Sequence, residues 1–445
     1  MLSIQFFRQI ILVLPLGLSI TLAQAQSFRF DFGNGKVKNG YSAVLPTDAY
    51  SDAKGFGFEP GALLTAETRK GKNALLKDCI TSDKPFFFSV KLPEGNYNVK
   101  IITGAGTNIS ETVVRAECRR VMLPVIRTGE GNFSEQHFTV HVHDSLIAGK
   151  HPGVKLKARE LNYWHWDNKL TLEFNGNAPR ICALEITPAE SVTTVFLAGN
   201  STVVDQAEEP YAAWGQIIPQ FFQPGKVAVA NYAESGEALS SFQSARRLEK
   251  VLSLMKPGDY LFIEFAHNDM KQKGEGIGPW TSYSASLKHY ISECRKKGGN
   301  PVLVTSMHRR NFDSTGKVVN TLGDYPAAMR KVAADENVPL IDLNIMSASL
   351  YEAWGPKGSE KGFVIYPANT FPGQEKALLD NTHFNPYGAM QLAKCMVQGM
   401  RDIHLPLAEY LRKDVPVYSP AKPDEVAEWY WPLSPVTAKA KPDGN

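Results

Sequence analysis

Ser201, His383 and Asp380 are residue types that can serve as a nucleophile, a base and the carboxylate that orients the base. Asp380 precedes His383 by three residues, in Asp380-Asn381-Thr382-His383. That spacing lets a carboxylate hold the ring through Nδ1 while Nε2 faces a serine hydroxyl. Acyl transfer also needs fixed donors for an oxyanion. Gly236 offers a backbone N–H with no Cβ in the way, Asn268 offers a side-chain amide, and the Ser201 N–H completes the set. Each piece has an ordinary alternative. A serine after a strand is often a helix cap, Asp380 can cap a turn, Gly236 can be a plain loop glycine, and Asn268 can tie down its own loop. The case rests on their joint appearance.

These groups converge only if the chain places them at one sheet edge. From Thr194 to about Leu411, short apolar runs alternate with helical stretches. Strands are expected at Thr194 to Leu197, Lys226 to Ala230, Tyr260 to Phe265, Pro301 to Thr305 and Pro339 to Leu343. Helices are expected at Tyr211 to Phe222, Ser284 to Lys297, Tyr325 to Glu336 and Pro386 to Ile403. This is the pattern of a parallel sheet covered on both faces, where sites form at the carboxyl ends of strands. Ser201, Gly236, Asn268 and His308 follow expected strands at that end. Pro386 opens a helix, which puts Asp380 and His383 in the preceding loop.

Before this region the chain reads as all-β. Phe28 to Phe32 alternates apolar and polar residues, and similar runs recur at Phe86 to Leu92, Tyr97 to Thr103, Thr112 to Glu117, Phe138 to Val142, Lys169 to Phe174 and Ile181 to Ile186. Pro93-Glu94-Gly95-Asn96 reads as a hairpin turn. Many short strands indicate a β-sandwich. Trp164 and Trp166 can stack on a sugar ring or pack in a core.

The remaining features bound the class. With 445 residues, 43% hydrophobic and 21% charged, the chain suits two or three globular domains. A net charge of +3 gives no argument for nucleic acid. Arg8, the apolar stretch Ile10 to Leu22 and Ala23-Gln24-Ala25 form a cleavable export signal, too short to span a bilayer comfortably. The expected division is a signal over 1–25, a β-sandwich over 26–190, an α/β domain over 191–412 and an extended tail over 413–445. Trp429, Tyr430 and Trp431 are candidates to lay that tail over the domain. Cys79, Cys118, Cys182, Cys294 and Cys395 show no metal or redox spacing, and one unassigned disulfide among the first three is possible.

The blocks Gly199-Asn200-Ser201-Thr202-Val203, Asn231 to Gly236, Phe265-Ala266-His267-Asn268-Asp269 and Asp380 to Phe384 resemble those of the SGNH hydrolase superfamily, or GDSL-like esterases. Ala213-Trp214-Gly215-Gln216 and Thr321 to Pro326 add a similarity to rhamnogalacturonan acetylesterases. Leu92 to Val99 resembles a turn and strand of galactose-binding-like jelly rolls. The resemblance implies a three-layer α/β/α sandwich behind an all-β domain, and deacetylation of pectic polysaccharide without metal or organic cofactor. It assigns Ser201, His383 and Asp380 to catalysis and Ser201, Gly236 and Asn268 to the oxyanion hole. Arg309 and Arg310 are candidates for a galacturonate carboxylate, or for structural ion pairs. A general acyl-esterase and a non-catalytic sugar-binding protein are the competing readings. Two positions depart from the family pattern: Asn200 replaces the usual Asp, and Ala266 the usual Gly.

Overall fold

The computed structural model describes residues 27–69, 72–104 and 108–438. The segment read as an export signal and the last residues of the tail lie outside the described residues. Among the described residues, no helix is long and apolar enough to cross a membrane.

Phe28–Phe32 is a strand as its alternation predicts, and Phe30 and Phe32 point into a sandwich core. One sheet runs in the order Phe133–Val142, Gly95–Gly104, Ala183–Pro188, Phe28–Phe32, Ser42–Val44. The facing sheet runs Phe56–Phe58, Phe86–Lys91, Lys169–Asn175, Ser110–Ala116, Arg120–Thr128. The rings of Phe30, Phe32, Phe58, Phe86, Phe88 and Phe174 fill the space between them. One expectation fails here, and one strand escapes the sequence pattern. Pro93 to Asn96 does not close a hairpin, because Phe86–Lys91 and Gly95–Gly104 belong to different sheets and the turn carries the chain across the sandwich. Arg120–Thr128 is a nine-residue strand that periodicity does not reveal. It is an edge strand, where the missing N–H of Pro124 is tolerated.

All five cysteines are buried free thiols. Cys79 and Cys182 are hydrogen-bonded neighbours. The antiparallel register Arg180↔Thr81 and Ile181↔Ile80, continued by one residue, brings them opposite each other.

The second domain has a five-stranded parallel sheet in the order Val227–Asn231, Thr193–Gly199, Tyr260–Glu264, Asn300–Val304, Leu340–Ile341. Alternation along the Thr193–Gly199 strand builds both faces. Val195 and Leu197 join a core with the helices Leu343–Gly358 and Pro386–Asp402. Phe196 and Ala198 join another with Leu239–Ser244, Arg247–Leu254, Ser284–Lys296 and Tyr325–Asp335. The result is a three-layer α/β/α sandwich. The Tyr211 to Phe222 stretch is not one helix. It yields one turn, Trp214–Ile217, followed by a 3₁₀ turn, Ile218–Phe221, that contains Pro219. The last strand shortens to two residues because Asp342 caps a helix that starts at Leu343.

The two domains meet through buried charges rather than a loose linker. Arg120 pairs with Asp205 at 2.8 Å, Arg119 with Glu209 at 2.7 Å and Arg247 with Glu160 at 2.5 Å. Val121 of the sandwich enters the α/β core. The tail then crosses both domains. Trp429 and Trp431 stack at 5.9 Å and pack on the α/β core, and Arg115 of the sandwich lies 4.0 Å from the Trp431 ring. Trp431 Nε1 donates to Glu209 at 2.9 Å, and Ser434 Oγ donates to Glu173 at 2.7 Å.

Candidate active site

The chain leaves the Thr193–Gly199 strand toward one sheet edge, then returns past it to Tyr260–Glu264. That reversal opens a crevice at the carboxyl ends of these strands. Ser201 sits there in a tight turn, closed by the N–H groups of Val203 and Val204 donating to the Asn200 carbonyl at 3.0 Å. No helix begins at this turn, so Ser201 is not a helix cap. A Cβ at Gly199 would lie 2.5 Å from Val203 Cγ2, which accounts for glycine there. Asn200 Oδ1 accepts from the Thr202 N–H at 3.1 Å and the Thr202 hydroxyl at 2.9 Å. This turn uses the one acceptor that Asn shares with the family's Asp, and needs no charge.

Asp380 and His383 lie in a strand, Leu378–Phe384, rather than in a loop. It pairs with Phe363–Tyr366, and the register jumps from Val364↔Asp380 to Phe363↔Phe384. Residues 381–383 therefore bulge from the ladder, which re-aims the histidine. Asp380 Oδ1 accepts the N–H groups of Thr382 and His383 at 2.9 and 3.1 Å, folding the bulge around the carboxylate. Its Oδ2 lies 2.8 Å from His383 Nδ1. His383 Nε2 lies 2.8 Å from Ser201 Oγ. Burial raises the Asp380 pKa, but the contacts with His383 and the two N–H groups outweigh it and hold the carboxyl below its usual value. His383 is 1% exposed and Ser201 3%.

On the opposite side, Glu234 to Glu237 form a turn closed by the Glu237 N–H on the Glu234 carbonyl at 3.2 Å. Gly236 occupies its third position at φ +84°, a conformation that favours glycine. Asn268 Nδ2 donates to the Glu237 carbonyl at 3.0 Å, so the two oxyanion candidates fix one another. A side-chain amide has a second hydrogen to offer. Ala266 is absent from the positive-φ residues and packs in the core, so the methyl group is accommodated without backbone strain.

Residues 197–390 match the GDSL-like lipase/acylhydrolase family, and residues 28–148 match the β-agarase/YxiM esterase-like, galactose-binding domain-like family. Rhamnogalacturonan acetylesterase RhgT of Bacillus subtilis (strain 168) is 42% identical over 219 residues, 49% of this chain and 93% of its own length. The chain belongs to the GDSL-like lipase/acylhydrolase family. It is a serine esterase. The probable rhamnogalacturonan acetylesterase YesY of the same organism is 34% identical over 49% of this chain and 98% of its own length. The uncharacterized esterase YxiM, also from that organism, is 27% identical over 86% of this chain and 93% of its own length.

Other groups of this GDSL-like esterase went unnoticed in the sequence. Glu264 ends the central strand beside the Ser201 turn and is buried. It accepts from Trp214 Nε1 at 2.9 Å, Ser306 Oγ at 2.8 Å and Thr202 Oγ1 at 3.1 Å. Burial pushes its carboxyl up to about 7. A lone Glu in an apolar run was the only signal. His267 is buried beside Asn268, and burial, then the charge of Arg309, pushes its pKa well below the usual value.

The two arginine candidates separate. Arg310 is structural: it pairs with Glu360 at 3.2 Å and donates to Ser359 Oγ and Asn381 Oδ1 at 2.9 Å each. Arg309 makes only long contacts, to the His267 carbonyl at 3.4 Å and to Thr321 Oγ1 at 3.3 Å. It has no acidic partner among the described residues, and burial alone pushes its pKa down. The tryptophans separate too. Trp166 packs on Tyr232 and under Arg247 of the α/β domain, whereas Trp164 lines an open cleft between the domains. Among the described residues, no group of three or more His, Cys, Asp and Glu side chains is placed to hold a metal ion.

Proposed function

We propose that this GDSL-like esterase is exported and removes acetyl groups from pectic rhamnogalacturonan by a Ser201–His383–Asp380 acyl-enzyme mechanism. The observation that carries the reading is the unbroken relay Ser201 Oγ, His383 Nε2, His383 Nδ1, Asp380 Oδ2, with both links at 2.8 Å. The names of its relatives supply the substrate. Arg309, close to Asn268 and with no acidic partner among the described residues, suits an anionic galacturonate.

In the first step Ser201 Oγ attacks the acetyl carbonyl and His383 Nε2 takes its proton. Asp380 stabilises the imidazolium without taking the proton itself. The oxyanion meets the N–H groups of Ser201 and Gly236 and the Asn268 amide, where each donor is worth about 10²–10³ in rate. The sugar oxygen then leaves with the proton from His383. In the second step His383 activates water, which attacks acetyl-Ser201 and releases acetate. The experiment is acetate release from acetylated rhamnogalacturonan, acetylated xylan and a long-chain ester. Preference for rhamnogalacturonan is expected; equal or better action on the long-chain ester would favour a general acyl-esterase and overturn the substrate assignment.

A further inference from the structure

We infer that the sandwich domain supplies a neutral-sugar subsite to the catalytic domain, in the interdomain cleft walled by Trp164 and Glu117. The inference rests on the glycan-ester reading above. The cleft measures about 400 Å³, within the range of small-molecule sites. It draws walls from three parts of the chain: Tyr163, Trp164 and Glu117 from the sandwich, Glu208 from the segment after the nucleophile, and Ser434 from the tail.

The cleft adjoins the reaction centre on two sides. Arg159, also in its wall, donates to Glu234 Oε1 at 3.0 Å and to the Ser235 carbonyl at 2.9 Å, one residue before Gly236. Gln206, next to the lining residue Ala207, donates to the Ser201 carbonyl at 2.8 Å. The cleft therefore borders the turns that carry Ser201 and Gly236, on the path of units flanking an acetylated sugar bound there.

Its chemistry is that of a sugar site. Trp164 is half-buried, braced edge-on by Phe87 at 4.6 Å, and presents an aromatic surface to the cleft. Glu117 is 4% exposed, yet its Oε2 has no hydrogen-bond partner. Burial raises its carboxyl well above the usual range, favouring the protonated form that can give as well as take a hydrogen bond. Glu117 and Arg119 hold φ values of +56° and +61°, costly for side chains with a Cβ. Arg119 keeps that turn in place by donating to the carbonyls of Gln206 and Tyr211 at 3.1 and 3.0 Å.

The charges select a neutral unit. Both arginines in the wall are ion-paired within the protein, Arg119 to Glu209 and Arg159 to Glu234. Glu208 is an exposed carboxylate that accepts from sugar hydroxyls and repels a uronate. A uronate is thus directed to Arg309 and a neutral pyranose to Trp164.

The test compares KM for an acetylated rhamnogalacturonan oligosaccharide with KM for 4-nitrophenyl acetate, in the wild type, Trp164→Ala and Glu208→Ala. Glu208 is a surface residue, so the second variant holds even if the first folds poorly. The ratio of the two KM values should rise about tenfold for Trp164→Ala and about threefold for Glu208→Ala. A wild type that cleaves the oligosaccharide, with ratios unmoved in folded variants, overturns the subsite alone. A wild type that cleaves only 4-nitrophenyl acetate overturns the glycan reading and the subsite with it.

Discussion

Arg309 and Arg310 are consecutive, yet Arg310 is ion-paired with Glu360 at 3.2 Å while Arg309 reaches the His267 carbonyl, Thr321 and Met270 Sδ at 3.3 Å or more. Only Arg310 has an acidic partner among the described residues, which assigns the two different tasks. Arg309→Gln should raise KM for a galacturonate-containing substrate about tenfold and leave that for a neutral acetyl ester little changed. Arg310→Ala should instead lower kcat on both, because Arg310 holds Asn381, which lies between Asp380 and His383. Steady-state kinetics on the two substrates checks both outcomes.

Asp380→Asn should lower kcat by about 10⁴-fold, since the amide cannot hold the imidazolium and favours the wrong tautomer. Asp380 is held below its usual pKa, so it stays ionised throughout the near-neutral range. Mild acidification therefore leaves the orienting carboxylate charged, and the pH–rate profile should show no step from Asp380 in that range. A pH–rate profile of the wild type and the variant reads both effects.

The sheet and the pairing of Asp380 with His383 were legible because their signals are local. Apolar runs mark Thr193–Gly199 and Tyr260–Glu264, and Asp380 and His383 carry their chemistry in four residues. The bulge that aims His383 was not legible, because it depends on pairing with Phe363–Tyr366, an irregularity of register that no single strand displays. Nor could two adjacent arginines, or two nearby tryptophans, be told apart by type. Arg310 is claimed by Glu360 and Trp166 by Tyr232, partners distant in the chain. The role of Arg119 and Arg120 was hidden for the same reason, as their acids come from the other domain.

Glu264 should give the fold a distinct pH dependence. Its carboxyl titrates near 7 in the folded protein against about 4.3 in an unfolded chain, so the folded state binds the extra proton. Its stabilising contribution is complete below the unfolded value and is lost as pH rises toward 7, by up to ~3 kcal/mol. Glu264→Gln does not titrate. Its stability relative to the wild type should therefore rise between pH 5 and pH 7. Denaturant melts at several pH values measure this, and a constant difference would contradict the buried neutral acid.

The sandwich should not be removable at no cost. Its loss leaves Asp205, Glu209 and Arg247 without the partners Arg120, Arg119 and Glu160. Breaking a buried pair costs about 3–5 kcal/mol. Arg120→Ala should destabilise the full chain by about that amount, and residues 191–445 alone should melt far below the full chain or fail to fold. Thermal melts of the two proteins check it.

The most direct test of the whole account is acetate release from acetylated rhamnogalacturonan by the wild type and Ser201→Ala at equal concentration. The wild type should turn over, and the variant should lose activity by about 10⁴-fold or more while its circular dichroism and melting curve stay those of a folded protein. Comparable acetate release from a folded Ser201→Ala protein would contradict the account, because the relay through His383 to Asp380 would then have no nucleophile to serve.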